Sequence, residues 1–160
     1  MEQTDRPMTL WRGNCYAHVE FRRDSLLRLK VSFPDARVVV HPESLREVRD
    51  IADAVCSTEK IITYCRTAPA KQFLIVTESG IIHRMRKECP DKEFICAPTF
   101  DVMQMPTDNC RCSQCKFMKL NTLEKVRDCM KDLNPRIELP AVTLERARRP
   151  IERMLEISAR

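Results

Sequence analysis

Short apolar runs alternate with segments of helical spacing between residues 24 and 96. Strand-type runs span 36–40, 72–76 and 93–96, and apolar residues three or four positions apart occupy the intervals between them. Parallel strands need long crossover connections, usually helices, so this alternation predicts an α/β fold with a parallel sheet that carries helices on both faces. Such sheets bind ligands at the carboxyl ends of their strands.

The remaining elements follow from local signals. A long loop is predicted over 97–109, where Pro98 and Pro106 interrupt the pattern, and Pro150 predicts a kink or a new start in the last helix. The predicted strand before the alternation spans 8–11, and the predicted helices span 24–33, 45–55, 59–66, 81–88, 120–133 and 143–157.

Composition limits the kinds of site that the chain can form. Gly13 and Gly80 are its only glycines, which excludes a glycine-rich phosphate loop. The net charge is +5, but the 28 Lys and Arg residues are spread along helices, so RNA binding is only a third alternative. No apolar run approaches the roughly 20 residues of a membrane span, and the first residues do not resemble a secretory signal. We expect a cytoplasmic protein with neither nucleic-acid nor membrane partners.

Three of the nine cysteines, Cys110, Cys112 and Cys115, crowd the segment before a predicted helix. Thiolates ligate iron-sulfur clusters, Zn(II) and Cu(I), and a helix N-terminus favours their deprotonation. The odd total favours reduced thiols with a metal over a disulfide framework, and incidental structural or redox thiols are the alternative. Three thiols do not complete a four-ligand metal site, so a further ligand must come from another segment of the chain. Cys15, with His18 three residues later, is a candidate, although it equally suits a small buried core position.

One pair of polar residues follows a predicted strand, and a second pair begins a predicted helix. His41 and Glu43 come directly after the run 36–40, with Pro42 fixing their relative direction. An imidazole there can orient or protonate a substrate and a carboxylate can relay protons, whereas a loop histidine with a capping glutamate is the alternative. Ser57 and Thr58 at a helix start suit an anionic group, although ordinary N-capping is the commoner explanation.

Six short motifs occur in a fixed order along the chain. They are Trp-Arg-Gly-Asn-Cys-Tyr-Ala-His at 11–18, His-Pro-Glu at 41–43, Ser-Thr at 57–58, Thr-Glu-Ser-Gly at 77–80, Cys-x-x-Met-Lys at 115–119 and Leu-Asn-Thr-Leu-Glu at 120–124. This order resembles that in the quinolinate synthase family, also called the quinolinate synthetase A family. The resemblance covers nearly the whole chain and extends to its last helix, 145–156.

The resemblance implies a fold of parallel-sheet, three-layer α/β units of the quinolinate synthase type, arranged around a central cavity. This chain is expected to be the C-terminal part, with the first domain and most of the second missing. Residues 1–97 would form the third domain with the end of the second. Residues 98–160, the cysteine loop and C-terminal helices, would complete the first.

The resemblance also implies a transferase activity. The family condenses iminosuccinate with dihydroxyacetone phosphate to quinolinate for NAD biosynthesis, with a [4Fe-4S] cluster as Lewis acid. L-aspartate oxidase, which supplies iminosuccinate, is a candidate partner. By motif match Cys15 and Cys115 would ligate the cluster, and Cys110 and Cys112 would be accessory or redox-active. The catalytic pair would be His41 and Glu43, and the substrate-binding residues would be His41, Pro42, Glu43, Ser57, Thr58 and Met118.

Three positions depart from the family motifs. Ser44 replaces a cysteine, and Cys56 and Val76 replace glycines, so the substrate loops are expected to be tightened or shifted. With the family's first cluster cysteine missing, we expect little or no synthase activity from this chain alone. The alternative function is a non-catalytic metal-binding or redox module that uses Cys110, Cys112 and Cys115.

Overall fold

A computed structural model describes residues 7, 9, 12–99 and 113–159 of the protein. Residue contacts divide the chain into two units, Met1–Lys119 and Leu120–Arg160. The assignment of 1–97 and 98–160 to particular family domains stays a prediction. The elements are β1 Arg37–Val40, β2 Ala54–Val55, β3 Gln72–Val76, β4 Glu93–Cys96, α1 Tyr16–Val19, α2 Arg23–Ser32, α3 Arg46–Arg49, α4 Thr58–Thr67, α5 Ile81–Glu88, α6 Leu123–Asp132 and α7 Ala141–Ser158, with a 3₁₀ turn at Met118–Leu120.

The described strands form one parallel sheet in the order β2-β1-β3-β4. Val40 of β1 pairs with Val55 of β2 on one side and with Val76 of β3 on the other. Helices connect successive strands, as parallel pairing requires. The predicted α/β class is therefore confirmed, and all four strands end at the same edge of the sheet.

Apolar side chains are buried on both faces of this sheet. Because successive side chains of a strand point to opposite faces, Val38 and Val40 join one buried cluster while Val39 joins the other. Phe73 and Ile75 of β3 belong to the same cluster as Val39. Burial on both faces explains why these strands are continuous apolar runs in the sequence.

One predicted helix, 45–55, is wrong in its second half. The helix ends at Arg49, and Ala54–Val55 is a strand instead. Asp53 explains the change, since its backbone N–H donates to the Val38 carbonyl at 2.8 Å and its carboxylate accepts the Val38 N–H at 2.7 Å. Pairing with β1 therefore outweighs the helical spacing of the segment.

The second unit contains α6 and α7, close to the predicted helices 120–133 and 143–157. Pro150 neither ends nor restarts α7, which is continuous from Ala141 to Ser158. The helix is exposed there, so water can satisfy the carbonyl that the proline leaves without an intrahelical partner. Neither helix has a buried residue.

Some predicted segments lie outside the described residues. They are most of the strand 8–11 and most of the loop 97–109, together with Cys110 and Cys112. Within the part of the chain that the structure describes, no helix combines the length and the apolar character needed to cross a membrane.

Candidate functional site

His18 occupies the centre of a polar network at the carboxyl edge of the sheet. Its Nδ1 lies 3.0 Å from Glu43 Oε2, and its Nε2 lies 3.0 Å from Thr77 Oγ1. A carboxylate can only accept, so Nδ1 carries the hydrogen and donates to Glu43; in the neutral ring, Nε2 then accepts from the Thr77 hydroxyl. Residues that follow β1 and β3 are thus joined through a histidine of α1.

His41 stacks on His18, with ring centroids 4.0 Å apart and an interplanar angle of 10°. The Glu43 N–H donates to His41 Nδ1 at 3.3 Å, so the hydrogen of the neutral His41 ring lies on Nε2. Burial lowers the pKa of His41, the neighbouring His18 lowers it further, and Glu43 only partly opposes both. His41 is therefore a neutral imidazole near pH 7 and can donate a hydrogen bond from Nε2.

Cys15 contributes a thiol to the same place. Its Sγ, a ring nitrogen of His18 and a carboxylate oxygen of Glu43 lie within 4.8 Å of one another. Thiolate, imidazole and carboxylate are all metal ligands, although both ring nitrogens of His18 already have protein partners. Cys15 is thus the donor of this group that is best placed for a metal centre.

The segment Ser113–Lys119, called the cysteine segment below, brings Cys115 towards the same edge. The Ser79 N–H donates to the Ser113 carbonyl at 2.9 Å, and Ser113 Oγ donates to the Ala17 carbonyl. The segment therefore contacts both α1, which follows Cys15 directly, and the turn after β3. The two cysteines that the motif match assigned to the cluster lie on segments in direct contact.

The thiol of Cys115 has a distinctive electrostatic environment. The Met118 N–H holds the pKa of Cys115 below its ordinary value, and the Phe117 N–H and Tyr16 hydroxyl act in the same direction against the effect of burial. By contrast, burial raises the pKa values of Cys65 and Cys96 to about 12. Cys115 is therefore disposed to be a thiolate, the form that binds metals.

A cavity of about 380 Å³ lies beside the network. The predicted residues Thr58 and Met118 line it together with His18, and Lys119 adds a cation to its wall. Ser57 is the N-cap of α4 but makes no side-chain capping hydrogen bond, so capping does not account for its hydroxyl. The cavity can hold a small molecule next to His18, while Ser57, His41 and Glu43 are not among its lining residues.

The other predicted residues lie at the loop after β1. The His41 side chain is 14% exposed, whereas the Glu43 side chain is 56% exposed and accessible to a ligand. Pro42 between them is exposed.

Sequence reasoning missed the central position of His18 and two residues of the cavity wall. Glu78 accepts the Gly80 N–H at 2.7 Å through Oε2, while its Oε1 is buried without a hydrogen bond, 3.7 Å from Lys119 Nζ. Thr77 is buried against His18. The available signal was their place in the sequence, because Thr77 and Glu78 directly follow a strand and His18 lies one helical turn after Cys15.

The donor chemistry at this edge fits an iron-sulfur centre. Such clusters are held by cysteine thiolates, and Cys15 and Cys115 are thiols on contacting segments. A single ion needs donors that converge on one point, whereas a cluster binds its thiolates at separate corners. Cys115 therefore need not belong to the tight group around Cys15 in order to share a cluster with it.

The comparison with known proteins identifies the family. A family profile described as "Quinolinate synthetase A protein" matches residues 1–156. This chain belongs to the quinolinate synthase family. It is 44% identical over 159 residues to the quinolinate synthase of Synechococcus sp., 43% identical over 158 residues to that of Thermosynechococcus vestitus and 42% identical over 158 residues to that of Nostoc punctiforme.

The predicted family is thereby confirmed, with a difference in length. Each of these alignments covers 99% of this chain but only 47% or 48% of the relative. The chain spans about half the length of the curated relatives it matches.

Proposed function

We propose that this chain carries part of the active site of a cytoplasmic quinolinate synthase. The reaction condenses iminosuccinate with dihydroxyacetone phosphate to quinolinate in NAD biosynthesis, and L-aspartate oxidase is the proposed source of iminosuccinate. The observation that supports this most strongly is the His18 network between Glu43 and Thr77, with Cys15 within 4.8 Å of His18 and Glu43, in a chain of this family. A [4Fe-4S] cluster held by Cys15 and Cys115 would supply a Lewis acid when bound.

His41 and Glu43 would donate and accept protons, with His18 holding Glu43 in place. His41 is neutral and would donate from Nε2 to a substrate carbonyl or carboxylate, which stabilises negative charge that develops on that oxygen. Glu43 would accept a proton from the substrate side, because its carboxylate is accessible and is held in place by His18 Nδ1. Thr77 fixes the orientation of His18 from the opposite side.

The helix start at Ser57 and Thr58 would bind an anionic group of the substrates. Thr58 lines the cavity, and Ser57 is not engaged in capping. The first N–H groups of a helix lack intrahelical partners and favour carboxylate or phosphate. Lys119 on the same cavity wall would offset the negative charge, and Met118 would supply apolar contact beside the cysteine segment.

We propose that the chain alone has little or no synthase activity. Two thiolates hold a cluster less firmly than three, and the relatives that it matches are about twice its length. The activity is therefore best tested in a chimera in which this chain replaces the matched half of the Synechococcus sp. relative. The chimera is expected to bind iron and sulfide after anaerobic reconstitution and to form quinolinate.

Single cysteine variants of the chimera test the metal ligands. Cys15→Ser and Cys115→Ser should lose both the cluster and quinolinate formation, whereas Cys129→Ser on α6 should keep both. A chimera that binds a cluster without forming quinolinate would contradict the proposal. Stoichiometric zinc that is lost only with Cys110, Cys112 and Cys115 would support the metal-binding module instead.

A further inference from the structure

Tyr16 directly follows Cys15, and its hydroxyl contacts both peptide groups that flank Cys115. Its hydroxyl accepts the N–H of Lys116 and lies 3.3 Å from the carbonyl oxygen of Gln114. These are the peptide groups immediately after and immediately before Cys115. A single side-chain oxygen therefore holds the backbone on both sides of the thiol, across a sequence separation of 100 residues.

The ring of Tyr16 adds contacts of its own to the cysteine segment. It meets Phe117 edge to face, with centroids 6.0 Å apart at 76°, and Lys116 Nζ lies 5.6 Å from the Tyr16 ring centroid. Phe117 is otherwise 61% exposed, so this contact gives it a defined neighbour. A phenylalanine at this position would keep these ring contacts, so the contribution of the hydroxyl can be measured separately from that of the ring.

The other anchors of the cysteine segment lie at its two ends. Ser113 is held at the start by Ser79 and Ala17, and Lys119 is paired with Glu78 at the end over 3.7 Å. Among the described contacts, those that tie the peptides beside Cys115 to another element come from Tyr16. The position of the Cys115 backbone therefore depends on this hydroxyl.

We propose that Tyr16 is a positioning residue for the metal centre, whose hydroxyl fixes the backbone of Cys115 towards Cys15 through the peptide groups on both sides of that thiol. The part of this proposal that concerns a bound metal rests on the proposed function. The hold on the Cys115 backbone does not, because it follows from contacts within the chain.

The two contacts are compatible with the single hydrogen of the hydroxyl. The Lys116 N–H donates to the Tyr16 oxygen, and the hydroxyl donates its own hydrogen to the Gln114 carbonyl at 3.3 Å. Tyr16 therefore acts as acceptor on one side of Cys115 and as donor on the other.

The two tyrosines of the chain provide a matched test. Tyr16→Phe removes the hydroxyl and keeps the ring contacts. Tyr64→Phe is the control, because Tyr64 lies on α4 with its ring against Phe73. Without metal, we expect Tyr16→Phe to accelerate hydrogen exchange at the Lys116 amide by about fivefold to tenfold, the change in the opening equilibrium that corresponds to losing about 1–1.4 kcal/mol of hydrogen bonding.

A second measurement reports on the Cys115 side chain in the metal-free protein. The rate of Cys115 alkylation at one fixed pH is followed by peptide mass spectrometry in the unaltered protein, in Tyr16→Phe and in Tyr64→Phe. We expect Tyr16→Phe to change this rate by about twofold or more, because the backbone of Cys115 is no longer held, and Tyr64→Phe to leave it unchanged. In the reconstituted chimera, Tyr16→Phe should release iron to a chelator faster than Tyr64→Phe does.

The outcomes of these tests are distinct. Unchanged hydrogen exchange at the Lys116 amide in Tyr16→Phe would overturn the proposal, and so would equal effects from Tyr64→Phe on exchange and on the rate of Cys115 alkylation. If the unaltered chimera binds no cluster, the proposed function fails at its metal centre. The two measurements on the metal-free protein would still decide the role of Tyr16.

Discussion

At the scale of single residues, contacts with Glu43 determine which ring nitrogen of His18 and of His41 carries the hydrogen. The carboxylate of Glu43 makes His18 Nδ1 the donor, and the Glu43 N–H makes His41 Nδ1 an acceptor. One glutamate therefore sets the tautomers of both rings, through its side chain in one case and its backbone in the other. The arrangement leaves His41 Nε2 as the donor for a ligand.

The three histidines allow the network to be tested with an internal control. His18→Gln should destabilise the protein by about 1–3 kcal/mol, because Glu43 and Thr77 lose a buried partner and the stack on His41 is broken. His83→Gln on the exposed side of α5 should have little effect. Urea unfolding measures both, and equal stabilities would show that the network contributes nothing.

Thiol reactivity provides a second prediction at this scale. Cys115 should alkylate at about pH 8 at least about tenfold faster than Cys65 or Cys96, because its pKa is lowered while burial raises theirs to about 12. Peptide mass spectrometry after brief treatment with iodoacetamide measures the order. Modification of Cys65 ahead of Cys115 would contradict this account.

At the scale of elements, one carboxylate reinforces the backbone pairing of β1 with β2. Asp53 accepts the Val38 N–H at 2.7 Å and the Arg37 guanidinium N–H at 2.5 Å. Burial opposes ionisation, but these two donors outweigh it and lower the pKa of Asp53. The strand Ala54–Val55 is short, so this local bond determines where the chain leaves α3 and joins the sheet.

The lowered pKa predicts how stability depends on pH. Its folded value lies below the unfolded one, so the stabilisation is present above the unfolded pKa and is lost as pH falls through the folded pKa. Asp53→Asn should therefore cost about 1 kcal/mol near neutral pH and less in acid. Urea unfolding at both pH values measures this. Asp50→Asn is the control, since its carboxylate is exposed, and a cost for Asp53→Asn that is independent of pH would exclude the charge as the cause.

At the scale of the whole molecule, the two units differ in how much apolar surface they bury. The sheet unit has buried clusters on both faces, whereas α6 and α7 have no buried residue. Isolated helices shorter than about 12–15 residues, such as the 10-residue α6, are marginal in water, and longer helices such as the 18-residue α7 still draw most of their stability in proteins from packing. The buried core of the sheet unit therefore accounts for the stability of that unit. The helices α6 and α7 have no buried residues of their own that would stabilise them.

This difference predicts the behaviour of the isolated parts. A peptide of residues 120–160 should be mostly unfolded by far-UV circular dichroism, because little burial offsets its conformational entropy. Residues 1–119 should unfold cooperatively. A cooperative thermal transition of the short peptide would show that its helices stabilise each other.

The sequence by itself determined the strands and helices with strong local signals. The strands 72–76 and 93–96 and the helix 81–88 have the predicted ends, because apolar runs and helical spacing act over a few residues. The family also follows from the sequence, since short motifs in a fixed order carry it. The effect of Pro150 was less readable from the sequence, because α7 continues through it without interruption.

Only the tertiary structure decided which of these residues meet. His18 and Thr77 are 59 positions apart, and Tyr16 and Lys116 are 100 positions apart, yet both pairs are hydrogen-bonded. The sheet brings them together because parallel strands joined by helices place all their carboxyl ends at one edge. Local pattern cannot report such contacts, since each depends on the whole chain between its partners being folded.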